Sequence, residues 1–69
     1  MEWEDFVAAC DDTLADIDDL PERAEDYGDS VRETIKGIKE WAEENEHATP
    51  KMIAAQERIQ EGVSKWLRR

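Results

Sequence analysis

Apolar residues return every three or four positions from one end of this chain to the other. In the first third they are Trp3, Phe6, Val7, Cys10, Leu14, Ile17 and Leu20, which form one stripe of an α-helix. The acids fall between them. Glu4, Asp11 and Asp18 recur every seven residues, and Asp5, Asp12, Asp16 and Asp19 form a second row beside them. Pro21 ends this helix or opens the next, because proline suits only a first helical turn. The pattern predicts a helix over residues 3–20.

A second stripe, Ala24, Gly28, Val31, Ile35, Ile38 and Ala42, carries Tyr27 and Trp41 on its flank. It predicts a helix over 21–46. Ser30-Val31-Arg32-Glu33 matches a capping box, whose serine and glutamate would satisfy orphan amide donors. That box places a candidate kink at 28–30; the unbroken spacing favours one continuous helix, bent at Gly28 if anywhere. Asn45 to Ala48 is the next turn. Thr49-Pro50 then reads as an N-cap followed by a first-turn proline. The third stripe, over 50–68, sets Met52, Ile59 and Trp66 at heptad spacing, joined by Ala55, Gln56, Val63 and Leu67. Lys51, Arg58 and Lys65 occupy its other side and lead to Arg68 and Arg69, where cations suit a helix C-terminus.

Three amphipathic helices with short turns and no strand pattern predict an all-α fold. The expected form is a small antiparallel three-helix bundle spanning 1–69 as one domain. A helical hairpin that dimerises is the alternative. The bundle places Trp3 and Trp41 toward one end, and Trp66 toward the other, near Leu20 and Tyr27.

Charge refines this picture. The chain is 69 residues long with a net charge of −10. Residues 1–29 hold twelve of the nineteen acids and one of the nine basic residues, a net −11, and residues 30–69 net +1. Every Asp lies at or before Asp29. The front is acidic and the rear balanced. Cys10 is the only cysteine, so no internal disulfide forms, and a reducing, cytoplasmic setting is expected. The acidic start, MEWEDF, lacks the basic flank of a signal peptide. The longest apolar run, Phe6 to Cys10, is far short of a membrane span.

Catalytic and metal chemistry find no constellation here. Asp16, Asp18 and Asp19 lack the glycine-permitted turn of a calcium loop. Glu43 and His47 are only two ligands, with no third to complete a transition-metal site. Cys10 sits on an apolar stripe, where a thiol behaves as a small hydrophobe. Ser30 reads as a cap. Gly28, Gly37 and Gly62 are isolated in helical patterns rather than grouped in a phosphate loop. No enzyme, metal or cofactor is expected.

Two features remain. Tryptophan is the commonest interface anchor; Trp3 and Trp66 read as packing residues, whereas Trp41 is set off on a flank. The acids of helix 1 form a ribbon of one sign, with carboxylates about 10.5 Å apart along each heptad row. A face that serves only solubility usually mixes signs. Asp11, Asp12, Asp16, Asp18, Asp19 and Trp41 are therefore the candidate partner-binding residues. The leading expectation is a non-catalytic interaction module that binds another protein, as a small regulator or accessory subunit. One alternative is a nucleic-acid mimic that inhibits a DNA- or RNA-binding enzyme by filling its basic groove. Another is weak nucleic-acid binding through Lys51, Arg58, Lys65, Arg68 and Arg69, which are few for an acidic chain. Opposite charges on helices 1 and 3 also suggest a homodimer.

Small size, acidity and helical patterning resemble small phage and mobile-element proteins, including inhibitors that imitate DNA. The segment SVRETIKGIKEWAEENEHATPKMIAAQERIQEGVSKW also resembles helical hairpins found as accessory pieces of phage DNA-metabolism proteins. The resemblance covers about half the chain, carries no catalytic motif and transfers no functional residue. It implies an inhibitor or accessory subunit.

Overall fold

A computed structural model describes residues 2–68. It is an antiparallel three-helix bundle with α1 at Trp3–Asp18, α2 at Glu25–Asn45 and α3 at Pro50–Leu67. The body measures 35 × 18 × 17 Å. The helices run up, down and up. Asp11 and Asp18 of α1 meet Lys39 and Arg32 of α2 in reverse order, and Thr13 and Asp16 meet Gln56 and Gln60 of α3 in the same order.

Helix α1 stops two residues short of the predicted end. Pro21 disfavours helical backbone at Leu20, and Asp19 and Leu20 close the helix with tighter amide bonds to the Asp16 and Ile17 carbonyls. A 3-10 turn at Glu22–Ala24 then reverses the chain into α2. Helix α2 is continuous through the Ser30 capping box. Thr34 Oγ1 donates to the Ser30 carbonyl at 3.3 Å, the i−4 contact that a threonine makes within a helix. The core explains the continuity, because a break would carry Gly28, Ile35 and Ala42 out of line, and all three are buried.

Glu46 closes α2 in the left-handed region at φ 49°. Thr49 caps α3, its Oγ1 accepting from the Met52 amide at 3.1 Å, with Pro50 in the first turn. Thr49 and Pro50 use the chemistry that the sequence signals there, whereas Glu46 holds a left-handed position that glycine or asparagine more often fills.

The core contains Phe6, Cys10, Ile17, Ile35, Ala42, Ala48 and Val63. The third stripe differs from expectation. Its buried line runs through Gln56 and Val63; Met52 and Ile59 are half-buried and Trp66 is exposed. The reason is Thr13, a fully buried polar residue on α1 that needs partners from α3. The Thr13 hydroxyl accepts from Gln56 Nε2 at 2.9 Å and donates to Gln60 Oε1 at 2.6 Å, with the Ala9 carbonyl 3.0 Å away as a second acceptor. Gln60 Nε2 continues the chain to Asp16 Oδ2 at 2.9 Å. A polar chain of this kind works only at one register of α3 on α1, so it turns α3 to face Thr13.

Gly37 lies in the interior of α2 with nothing within 4 Å of an added Cβ. Glycine loses more backbone freedom on folding than alanine does. Gly37→Ala is therefore expected to stabilise the bundle by about 0.5–1 kcal/mol, read as a higher urea midpoint at unchanged slope. A loss of stability would mean that this segment of α2 does not form a regular helix.

Candidate interaction surface

The outer side of α1 carries the acids nominated above, and its neighbours treat them differently. Asp11 pairs with Lys39 at 2.6 Å. Asp18 pairs with Arg32 at 2.8 Å, and the same guanidinium holds Asp29 at 3.1 Å. Asp16 is half-buried and accepts from Gln60. Asp12 and Asp19 are exposed and form no ion pair among the described residues, as do Glu4 and Asp5. Helical periodicity explains the split. Of the row Glu4, Asp11, Asp18, the last two meet cations of α2, whereas Glu4 and the row Asp5, Asp12, Asp19 form no ion pair among the described residues. The open ribbon is thus Glu4, Asp5, Asp12 and Asp19, shifted from the nominated cluster.

These pairs also tie α1 to α2. Their carboxylates stay largely in water, 54% exposed for Asp11 and 72% for Asp18, while Lys39 and Arg32 are about one-quarter and one-third exposed; pairs open to solvent in this way contribute little stability. The hydrogen bond from Lys39 to Asp11 holds the ammonium protonated above its ordinary range.

Trp41 stands on the flank of α2, 42% exposed. Its ring lies 6.3 Å from His47, tilted by 59°, and its carbonyl accepts from Asn45 Nδ2 at 2.9 Å. Trp66 departs from its expected role as a packing residue and is 38% exposed. It lies 6.4 Å from Tyr27, at the end of the bundle where the sequence placed both. The Arg23 guanidinium sits 5.6 Å from the Trp66 ring centre. Gly62 permits this cluster, because a Cβ there would collide with the Tyr27 hydroxyl. Beside Trp66 lies a hollow of about 470 Å³ lined by Asp19, Pro21, Arg23, Leu67 and Arg68.

The basic residues of α3 are exposed. Lys51 and Arg58 lie on its exposed side, and Lys65 is 3.9 Å from Glu61. Lys65 and Arg68 instead approach Arg23 around Trp66. Arg69 lies outside the described residues. The part played by Arg23 was hidden in the sequence, since it is 43 positions from Trp66. Thr13, Gln56 and Gln60 were also missed, although two glutamines four apart on an apolar stripe are a legible sign of a polar contact in the core.

Cys10 is fully buried. Burial above all, with Asp11 and Glu43 adding to it and Lys39 opposing, pushes its thiol from an ordinary 9.0 up to about 11. A thiol held protonated is the reverse of an activated nucleophile. The shift has a consequence for stability. A group whose pKa is raised by folding contributes fully below its unfolded value and loses that contribution as pH rises through the folded value. Lys39 acts with the same sign. Stability is therefore expected to hold to about pH 9 and to fall between 9 and 11, with a shallower fall in Cys10→Ala. An equal fall of stability with pH in the two proteins, from urea melts at several pH values between about 8 and 11, would remove Cys10 as a source of the pH dependence.

Among the described residues, no three His, Cys, Asp or Glu side chains are grouped to hold a metal ion. Among the described residues, no helix is long and apolar enough to cross a membrane. Comparison with protein-family models, with curated proteins and with solved structures finds no match to this chain. The fold defines its class, a small acidic three-helix bundle.

Proposed function

We propose that this protein is a non-catalytic interaction module, a small acidic regulator or accessory subunit that binds another protein through its helical surfaces. The observation that carries the reading is Trp41, left 42% exposed on a rigid helix. A tryptophan side chain offers roughly 200 Å² for burial. Covering the exposed part of Trp41 would contribute about 2 kcal/mol at 25 cal/mol per Å². Glu40, Glu43 and Glu44, next to Trp41 along α2, are exposed and would favour a partner with a basic rim.

Trp41→Ala is expected to weaken partner binding roughly 30-fold, the equivalent of that burial, while circular dichroism stays unchanged. The measurement is a pull-down from lysate, then titration of the captured partner in rising salt. Undiminished binding by Trp41→Ala would sink this reading.

Nucleic-acid mimicry is the second reading, favoured by the open row Glu4, Asp5, Asp12 and Asp19. Against it, Asp11 and Asp18 are already matched to Lys39 and Arg32, which reduces the net charge offered to a basic groove. A mimic would lose affinity steeply with salt and fail when Asp12 and Asp19 become Asn. Binding anchored on Trp41 would tolerate both.

A further inference from the structure

The hollow beside Trp66 carries both signs of charge at its mouth. Asp19, at the end of α1, and Arg23, in the 3-10 turn, face the same space, with Arg68 beside them and Pro21, Leu67 and Trp66 as its apolar part. Asp19, Arg23 and Arg68 are exposed and have no ion pair among the described residues. The cations of the α1–α2 seam, Arg32 and Lys39, are by contrast already matched. The Arg23 guanidinium lies over the Trp66 ring, 5.6 Å from its centre, and its donors make no ion pair among the described residues.

A site for a free anion would exclude Asp19, since a carboxylate at the mouth repels the ligand. A site for a cation would exclude Arg23 and Arg68. A patch that carries both signs around a partly exposed tryptophan suits a two-fold contact between identical surfaces, because Asp19 of each copy can then meet Arg23 of the other, with Lys65 and Arg68 at the rim. We infer that the Trp66 end of the bundle docks a second copy of this chain, two-fold related, with Asp19 of each copy facing Arg23 of the other and Trp66 at the centre.

The contact is of the weak, reversible class. The Cα trace of the bundle spans only 18 × 17 Å across, so its end offers little more than the roughly 800 Å² per partner of a standard interface even with side chains counted. Two bodies of charge −10 also repel each other, and that repulsion fades beyond a screening length of about 8 Å at physiological ionic strength. Association is therefore expected at moderate salt and high protein concentration.

The test is sedimentation at increasing protein concentration on the full chain, with Asp19→Lys and Arg23→Glu made separately and then mixed. Both residues are exposed, and a lysine at the end of α1 suits the helix dipole, so both variants are expected to keep the wild-type circular dichroism. Wild type is expected to show a rising average mass. Each single variant places like charges opposite each other twice and is expected to weaken association at least about tenfold. An equal mixture restores both attractive pairs in a heterodimer, and its association is expected to return to near the wild-type level. A wild type that stays monomeric overturns the inference. So does a dimer that ignores both substitutions, or two weakened variants whose mixture fails to recover. The proposal stands apart from the Trp41 reading: Trp41 is about 21 Å along α2 from Tyr27 by helical rise, and a failure at one site leaves the other untouched.

Discussion

Phe6→Ala is expected to destabilise the bundle by about 3–5 kcal/mol, the range for deleting a large aromatic from a packed core. Phe6 heads the fully buried side chains by volume and packs in the core shared by all three helices. A chain of 69 residues has roughly 3–10 kcal/mol of total stability at ordinary values per residue. The loss therefore takes most or all of the reserve, and the variant is expected to show little cooperative melting at physiological temperature. Phe6→Leu keeps most of the volume and is expected to cost about 1–1.5 kcal/mol. Thermal and urea melts followed by circular dichroism separate the two. A Phe6→Ala melt within a few degrees of wild type would mean that the core is not organised around this ring.

The second large effect concerns the polar chain inside the core. Thr13→Val keeps the side-chain shape and removes the hydroxyl. Gln56 Nε2 then loses its acceptor, and Gln60 Oε1 its donor at 2.6 Å. A buried polar group left without a partner costs about 1–3 kcal/mol. Gln60 is half-buried and can reach water, whereas Gln56 is only 6% exposed. The expected loss is about 2–3 kcal/mol. Replacing both ends of the broken bond, as in Thr13→Val with Gln56→Leu, is expected to restore most of it, because no unpaired donor remains. Urea melts of the two singles and the double form a thermodynamic cycle. A double variant as unstable as the sum of the singles would show that Thr13 and Gln56 act independently, and the account of the register given above would fail with it.

Several elements were legible because the signal is local. Thr49 and Pro50 start α3 through contacts within one turn, and the structure uses both. Phe6, Cys10 and Ile17 are buried as their spacing requires, with Val7 and Leu14 half-buried beside them and Thr13 buried in addition. The Ser30 box was equally legible and was overridden. A cap is worth about 1 kcal/mol, less than the burial of Ile35 and Ala42 on an unbroken α2.

The candidate surface was less legible. Periodicity showed two acidic rows on α1, but not which row faces the cations of α2. Trp66 was read as packed because it shares a heptad with Met52 and Ile59. Its exposure follows from the rotation of α3 toward Thr13 and from Arg23, a residue of a different turn.

The sequence by itself determined the helices, their turns, their apolar sides and an acidic front with a balanced rear. These depend on spacings of three, four and seven and on capping residues, all within a turn or two of the chain. Only the tertiary structure decided which acids stay open, which tryptophans face water and how α3 is turned on α1. Those outcomes depend on pairings between residues 14 to 47 positions apart, such as Asp18 with Arg32 and Thr13 with Gln60. Helical periodicity places a side chain on a face of its own helix; the neighbour across the seam exists only once the helices have packed.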